Sequence, residues 1–291
     1  MSTINNCFYF RFQKSYYISF EKGEVFMHTE HYAISHGLTS VPQQDNFPMH
    51  SHDVYEIYMF IEGDVTCIVE NKIYQVNPYD VIIIRKHELH QVYHNRQIPY
   101  RRISFHVSPS FFKTNRCQEY ETHFLKASTA SGNKIPSNIV KSSGLYDAFI
   151  RFEKYSNDFS CGHDTPVLTA VLIEILYLLN QITDYSYSDF SNSIVSAIIS
   201  YLNAHFSDEI NLDMLEEQFF VSKYYLCRIF RKFTGLSIQE YIRLKRLNKA
   251  KELLSTGSSI SDASSFAGFH DYSAFYRAYK KEFGCSPKEG R

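Results

Sequence analysis

The last third of the chain carries one helical pattern twice, and this repeat limits the fold more than any other feature. In the first copy, between Ile210 and Thr234, apolar residues recur at helical spacing in two short segments joined at Val221-Ser222. In the second copy, a short segment at 260–267 is followed by a turn at Gly268-Phe269 and a segment that ends near Phe283. A longer predicted helix at 237–254 connects the copies. The pattern predicts an all-α domain with two helix-turn-helix units.

The second helix of each unit is predicted to have an apolar inner face and a polar outer face. Ser222 and Asp271 are the predicted N-caps of these two helices. The inner faces consist of Leu226, Ile229, Phe230 and Phe233 in the first unit and Phe275, Ala278, Tyr279 and Phe283 in the second. The outer faces carry Lys223, Tyr224, Cys227, Arg228 and Arg231, and then Tyr272, Ser273, Arg277 and Lys280. A helix with these two faces suits the major groove of DNA.

Charge supports this interpretation only locally. The net charge of the chain is -1, which does not indicate a nucleic-acid partner. The segment 221–251, however, holds nine basic residues and one acidic residue, Glu240. A basic stripe of this kind is typical of a surface that binds a polyanion. A solvated helix face would explain it equally well.

The N-terminal half shows a different pattern, of short β-branched and aromatic runs separated by turn residues. The predicted strands lie at 54–61, 65–70, 72–76, 81–84 and 101–107. Short strands at this spacing predict an antiparallel barrel or sandwich. The segment 108–143 is expected to be irregular, with at most one short helix.

Two helices are expected to follow the strands. They are predicted at Leu145–Tyr155 and Thr165–Ile182, and the second is apolar around most of its circumference. Such a helix is buried in its own domain or shared with a second subunit, so we expect a homodimer. The polar, Ser-rich segment 185–193 is the expected linker. It divides the chain into an N-terminal domain, 1–185, and a C-terminal domain, 186–291.

The sequence also indicates a cytoplasmic location. The six cysteines are scattered singly, which suits reduced thiols. The N-terminal segment lacks the continuous apolar core of a signal peptide. The most apolar run, 167–179, is shorter than the roughly 20 residues that a membrane-spanning helix needs. No contact with a membrane is expected.

Histidines and a glutamate form a second motif in the N-terminal domain. His50, His52 and Glu56 precede Gly63, and His90 follows downstream. This spacing resembles the metal signature of the cupins, and alternation along a strand puts His50 and His52 on one face. Three imidazoles and a carboxylate could hold Zn, Fe or Mn, so a divalent metal is the one cofactor that the sequence suggests. The same side chains, with Tyr58, could instead line a small-molecule pocket without metal, or be ordinary core and surface residues.

The C-terminal hundred residues resemble the two DNA-binding repeats of the AraC/XylS family of bacterial regulators. The resemblance is carried by F-x-K/R-x-x-G-x-S at 230–237 and by G-F-x-D-x-x-x-F, with F-G-x-S-P downstream, at 268–287. It implies that the two recognition helices enter successive major grooves. An 18-residue connecting helix spans about 27 Å, which is compatible with one turn of DNA once the flanking turns are added.

The resemblance also implies roles for individual residues. It assigns base reading to Tyr224, Cys227 and Arg228 in the first unit and to Tyr272, Ser273 and Arg277 in the second. Phosphate contacts, which position the protein without reading sequence, are expected from Ser222, Lys223, Arg231, Lys232, Arg246 and Lys280. The chain departs from the family pattern at three positions: Glu216 and Ser264 replace small residues, and Phe220 replaces the turn glycine of the first unit.

Together these features predict a sequence-specific transcription regulator, expected to activate, whose cupin-like barrel binds a small effector. A carbohydrate is the effector class that the resemblance suggests. The expected partners are double-stranded DNA, a second copy of the chain and, for an activator, RNA polymerase. No enzymatic activity is expected. Two alternatives remain open: a metal-dependent cupin enzyme with an accessory DNA-binding module, and a constitutive DNA-binding protein whose barrel serves only dimerisation.

Overall fold

The computed structural model describes residues 17–21, 24–29, 31–43, 47, 49–125, 132–157, 165–182 and 194–289. The described part of the N-terminal half contains ten strands. These are β1 (Tyr17–Glu21), β2 (Glu24–His28), β3 (Tyr32–Thr39), β4 (Tyr55–Glu62), β5 (Val65–Val69), β6 (Lys72–Val76), β7 (Val81–Ile84), β8 (His90–His94), β9 (Tyr100–Val107) and β10 (Lys134–Ile135).

The strands form two antiparallel sheets that face each other. One sheet has the order β1-β2-β3-β9-β4-β7-β10, and the other has the order β6-β5-β8. Side chains from both sheets meet in one core, which includes Tyr58, Val65, Tyr74, Ile82 and Tyr100. The predicted cupin-like all-β fold is confirmed, as a sandwich of two open sheets.

The large sheet is buried on both faces, which explains why β4 lacks the alternation of a half-exposed strand. Tyr58 and Phe60 point into the space between the sheets. Ile57 and Met59 pack on the opposite side, against helices that cover the sheet. The whole run from Tyr55 to Phe60 is therefore buried.

The described part of the N-terminal half contains five α-helices and a short 3-10 helix, Gln118–Glu121. The α-helices are α1 (Pro109–Thr114), α2 (Thr122–Leu125), α3 (Ser137–Ser142), α4 (Leu145–Asn157) and α5 (Thr165–Gln181). The last two confirm the predicted pair. The prediction that the segment 108–143 is irregular, with at most one short helix, is wrong, because the segment contains α1, α2, α3 and β10. These elements are too short to show periodicity in the sequence.

Six helices follow and confirm the double helix-turn-helix domain. They are α6 (Ile194–His205), α7 (Leu212–Phe219), α8 (Lys223–Thr234), α9 (Ile238–Ser255), α10 (Ile260–Phe266) and α11 (Tyr272–Phe283). Ser222 and Asp271 cap α8 and α11 as predicted, and Ser237 with Glu240 forms a capping box at the start of α9. The predicted linker and the boundary at 185/186 lie outside the described residues.

The two halves pack directly on each other. Ile68, Ile73 and Leu89 from the small-sheet side share an apolar core with residues of α6, α8 and α9. Tyr93 of β8 stacks on Phe233 of α8, with ring centroids 5.9 Å apart. No pattern in the sequence predicts this contact. The shared core places the N-terminal half against α8 and against α9, the helix that connects the two helix-turn-helix units.

None of the helices in the described ranges is both long enough and apolar enough to cross a membrane.

Candidate DNA-binding surface and ligand-binding site

Helix α8 presents the predicted reading residues of the first unit to solvent. The Ser222 side chain accepts a hydrogen bond from the Tyr225 amide and so fixes where the helix begins. Leu226 and Phe230 are fully buried, which turns the opposite face outward. On that face Tyr224 is 81% exposed and Arg228 is exposed, with its guanidinium 5.6 Å from the centre of the Tyr225 ring.

Cys227 lies between these two faces. It is half-buried and contacts the edge of the apolar core. With Lys223 and Tyr224 it lines a groove of about 470 Å³ at the junction of α7 and α8. Three of the residues predicted to contact DNA therefore meet in one concave surface.

Helix α11 repeats this arrangement in the second unit. Asp271 accepts a hydrogen bond from the Ala274 amide at its start. Phe275 and Tyr279 are fully buried, and the predicted reading residues Tyr272, Ser273 and Arg277 are exposed, as is Lys280. Both units thus expose a polar helix face while the N-terminal half packs against the C-terminal domain.

The residues predicted to contact phosphate fall into two groups. Arg231 and Lys232 are exposed on α8 and available to DNA. Lys223 pairs with Asp213 at 2.7 Å, and this hydrogen bond raises the pKa of the lysine. Ser222 uses its hydroxyl to cap α8. Their phosphate contacts remain predictions.

Arg246 has internal partners instead. Its Nε donates to the Phe206 carbonyl at 2.6 Å, and its Nη2 donates to the Asp208 carbonyl at 2.8 Å. Both acceptors follow the end of α6, where backbone carbonyls lack helical partners. In this conformation Arg246 ties α9 to α6, and the geometry favours a structural role over the predicted phosphate contact.

Glu56 is the centre of the ligand-binding candidate. We call His50, His52, Glu56, His90 and His106 the His–Glu cluster. Glu56 Oε2 lies 3.1 Å from His52 Nε2, 3.2 Å from His90 Nε2 and 3.6 Å from His106 Nε2. Its other oxygen accepts a hydrogen bond from Ser104 Oγ at 2.7 Å. The carboxylate is thus surrounded by polar groups inside the sandwich.

Strand pairing explains how these residues meet. Glu56 on β4 is directly opposite His106 on β9, so the two side chains share a face. His90 begins β8 in the other sheet, and a backbone bridge joins it to His50. His52 and His90 are buried, whereas His50 is exposed at the rim.

His106 belongs to the cluster although the sequence motif omits it. The one signal in the sequence was its position in the strand pattern 101–107, where it has the same parity as Ser104. Placing it opposite Glu56 requires the pairing of β9 with β4, which strand patterns alone do not give.

Two of the three buried histidines of the cluster, His52 and His90, are oriented by backbone carbonyls. His52 Nδ1 lies 2.9 Å from the Val54 carbonyl oxygen, and His90 Nδ1 lies 2.9 Å from that of Glu88. A carbonyl only accepts, so each Nδ1 carries a proton, and each Nε2 faces the Glu56 carboxylate. This is the outer hydrogen bonding that orients metal-binding histidines.

Electrostatics differ among the members of the cluster. Burial lowers the pKa of His106 to about 3, so this ring is neutral. Burial also opposes charge on His90, but the Glu56 carboxylate outweighs it and raises the pKa of His90 above its usual value. Burial raises the pKa of Glu56, yet its contacts with His52 and His90 hold it well below its usual range. The site therefore combines an ionised carboxylate with at least one neutral imidazole.

The donor set fits a divalent metal. Two overlapping groups, His50-His52-His90 and His52-Glu56-His106, each have ligand atoms within 4.8 Å of one another. Nitrogen and carboxylate oxygen donors in this number suit Zn, Fe or Mn. The buried His90 Nε2 also lacks hydrogen-bond geometry toward its neighbours, as expected of an atom that binds something else.

Further polar groups continue the site along the sandwich. Tyr58, which the motif includes, accepts a hydrogen bond from the Tyr100 hydroxyl at 3.0 Å, and both are buried. Arg102 on β9 donates to Ser35 at 3.1 Å, and its guanidinium lies 5.5 Å from the centre of the Tyr100 ring. The interior thus offers hydrogen-bond donors, acceptors and aromatic faces, which are the groups that hold a polar ligand.

Comparison with known proteins connects both surfaces to one class. A family model described as "AraC-like ligand binding domain" matches residues 36–125, and one described as "Helix-turn-helix domain" matches residues 215–291. The first covers the His–Glu cluster, and the second covers both predicted reading helices.

Individual proteins and solved structures are also similar to this chain. The HTH-type transcriptional activator RhaS of Escherichia coli (strain K12 / DH10B) is 25% identical over 252 residues, which are 86% of this chain and 89% of RhaS. Among solved structures, the C-terminal domain of AraT, a response regulator from Geobacillus stearothermophilus, is 32% identical, with a TM-score of 0.33, over 34% of this chain and 84% of that one. ToxT from Vibrio cholerae O395 is 12% identical, with a TM-score of 0.34, over 90% and 97%.

Proposed function

Because this chain is a DNA-binding transcription regulator of the AraC/XylS family, with a ligand-binding domain ahead of two helix-turn-helix units, we propose that it activates transcription when a small polar effector binds its His–Glu cluster. The observation that carries the proposal is a direct packing contact between the strand that begins in the cluster and the reading helix α8. His90 starts β8, and β8 packs on α8 through Tyr93 and Phe233. The similarity to an activator supports the direction of the response.

A carbohydrate is the effector class that we propose. Sugars present many hydroxyls around a compact ring, and they need both donors and acceptors with a flat apolar surface beside them. The cluster supplies imidazoles and a carboxylate, while Tyr58 and Tyr100 supply hydroxyls and rings. The effector must bind the active and inactive states with different affinity, because otherwise it shifts neither population.

The further partners follow from this role. We propose that the chain forms a homodimer through the exposed face of α5, where Val167 is 46% and Tyr177 45% exposed. Leu125, which is 64% exposed, ends helix α2, and α2 contacts α5. An activator also contacts RNA polymerase. We propose no enzymatic activity, since ligand binding alone is enough for regulation.

A resident divalent metal is the second candidate for the cluster. His52, Glu56, His90 and His106 would hold it, and it would act as a Lewis acid that binds an oxygen of the effector. Convergence of these four side chains favours this version of the site. A metal here would make the protein a metal-dependent sensor without making it an enzyme.

Genome-wide mapping of the bound sites tests the proposal most directly. The mapped promoters supply the duplexes for binding assays, and the neighbouring genes supply the sugars to add. We expect a subset of these sugars to change the affinity for the mapped duplexes and to raise the melting temperature of the protein. A protein whose bound promoters and melting temperature ignored all these compounds would be a constitutive binder.

A further inference from the structure

The turn between β5 and β6 is built around a residue in an unfavourable backbone conformation. Val69 pairs with Lys72, so Glu70 and Asn71 form a two-residue turn. Glu70 has a φ of 52°, in the left-handed region that Gly, Asn and Asp occupy most easily in such turns. Strain of this kind persists only where the surrounding structure holds it, and it often marks a functional position.

The carboxylate of Glu70 joins the two halves of the protein. Its Oε1 accepts from the Leu89 amide at 2.8 Å. Its Oε2 accepts from Lys245 Nζ on α9 at 2.6 Å and from Asn203 Nδ2 on α6 at 3.1 Å. The side chains of the ion pair are only 22% and 17% exposed, so salt screens this pair less than an open surface pair.

The second residue of the turn strengthens the contact. The Asn71 carbonyl accepts from Ser196 Oγ at 2.8 Å, and Asn71 Nδ2 donates to Ser200 Oγ at 2.9 Å. Both serines lie on α6. The turn is therefore inserted between α6 and α9 with its polar groups satisfied.

On the other side, the same turn is fastened beside the ligand-binding candidate. The Glu70 amide donates to the Leu89 carbonyl at 2.8 Å, so Glu70 and Leu89 are joined through both backbone and side chain. Leu89 immediately precedes His90, whose ring contacts Glu56. A movement of His90 on ligand binding would reach Glu70 across one peptide bond and two hydrogen bonds.

We propose that Glu70 is a positioning residue, which couples the strand that begins at His90 to the orientation of helix α9 through Lys245. This inference rests on the proposed function, since it names how the occupied cluster regulates DNA binding. The reading residues Tyr224 and Arg228 are exposed while the contact is made. The contact thus sets the geometry of the two units and leaves their reading faces open. It also explains the residue type, because glycine or asparagine would relieve the turn but could not bridge Leu89 and Lys245.

Hydrogen exchange on the full chain without DNA gives the first test. Glu70→Gln keeps the length of the side chain and an acceptor for the Leu89 amide but removes the charge that holds Lys245. We expect amides of β8 and of α9 to exchange faster together, by about tenfold, because both report opening of one contact. Asp64→Asn is the matched control, since its partners Arg96 and Asn95 both lie in the ligand-binding half. A change confined to the β5–β6 turn would overturn the proposal.

The second test measures geometry on DNA. The wild-type protein selects a preferred duplex from a random pool, and one base pair is then inserted between the two contacted sub-sites. We expect the insertion to weaken wild-type binding about tenfold and Glu70→Gln binding by a much smaller factor, since half-site spacing follows protein geometry. A purely stabilising role would lower the melting temperature of Glu70→Gln and leave the spacing preference intact, which would contradict the proposal.

Lys245→Gln and the double variant, Glu70→Gln with Lys245→Gln, complete a double-mutant cycle. If Glu70 acts through Lys245, the double variant will tolerate the insertion to the same degree as either single variant, because the changes remove one shared interaction. Additive effects would contradict the assigned route. If the wild-type protein selected no duplex at all, the proposed function would fail, and the exchange experiment would still decide whether the two halves are coupled.

Discussion

Gly268 is in backbone contact with Ser207, so the second helix-turn-helix unit is fixed directly to the loop that follows α6. A Cβ atom at position 268 would lie 2.6 Å from the Ser207 carbonyl oxygen and 2.7 Å from its Cα. Gly268 also has a φ of 86°, which side-chain-bearing residues rarely adopt. Phe220, in the first unit, also has a left-handed backbone conformation, with a φ of 54°, and its side chain is 94% exposed.

Gly268→Ala is expected to destabilise the C-terminal domain by more than about 2 kcal/mol, since the strained φ and the backbone overlap both add cost. Equilibrium urea unfolding measures the change. Gly257→Ala is the matched control, because it also has a positive φ but meets no atom within 4 Å. Equal losses at the two glycines would show that the contact with Ser207 is unimportant.

Phe220→Gly is expected to have the opposite sign. Glycine removes the cost of the left-handed conformation, and the exposed ring contributes no buried area, so stability should rise by about 0.5–1 kcal/mol after the entropy of the unfolded glycine is subtracted. Phe220→Ala tests the cause, since it removes the ring but keeps the backbone cost. Stabilisation by alanine as large as by glycine would assign the effect to the ring.

The C-terminal domain could be predicted from the sequence because its helices follow local rules. Ser222 and Asp271 are good caps, and residues such as Phe230 and Phe275 mark the inner faces at regular spacing. The strand pattern in the sequence does not predict β1, β2, β3, β8 or β10. For β8 the reason is that the segment His90–His94 is short and polar and gives no alternation. The two halves meet through contacts between distant residues, such as that of Glu70 with Lys245, which are 175 positions apart, and no local pattern encodes such contacts.

The ligand-binding candidate could be predicted only in part, because some of its members meet through contacts between residues that are distant in the sequence. His52 and Glu56 are four positions apart, and they meet because the chain bends at 53–54 before β4 begins at Tyr55. His106 joins them only through the pairing of β9 with β4. Sequence spacing also gave His50 the same weight as His52, although one lies at the rim and the other inside.

Arg228 and Lys232 should respond differently to truncation. Arg228 is exposed on the reading face, so Arg228→Ala should cost about 1–3 kcal/mol on the preferred duplex and relax the preference at the contacted base. Lys232→Ala should weaken binding to all sequences alike and reduce the salt slope by about 0.9. Titrations of preferred and random duplexes at several salt concentrations distinguish the two. An equal loss on both duplexes for Arg228→Ala would remove its base-reading role.

Arg246→Met tests whether this arginine belongs to DNA binding or to the fold. It keeps much of the aliphatic packing but leaves the carbonyls of Phe206 and Asp208 without their charged donor. We expect a loss of about 1–3 kcal/mol in unfolding free energy, typical of hydrogen bonds to a charged group. The salt slope of DNA binding should stay unchanged if no phosphate contact is lost. A slope reduced as in Lys232→Ala, with unaltered stability, would restore the phosphate role.

If the ligand site holds a resident metal ion, only some of its histidines should be needed to bind that ion. In a protein loaded with Zn²⁺, His106→Ala should reduce the bound metal far more than His50→Ala, since His106 is buried with Glu56 and His52 whereas His50 is at the rim. Loss of one of four ligands should weaken affinity by at least the roughly 10–100-fold seen when outer-shell partners are removed. Elemental analysis after dialysis gives the stoichiometry, and equilibrium competition with a chelator gives the affinity. A wild-type protein that retained no metal would exclude a resident ion and leave the cluster as hydrogen-bonding groups for the effector. A larger loss of bound metal from His50→Ala than from His106→Ala would place the ion at the rim.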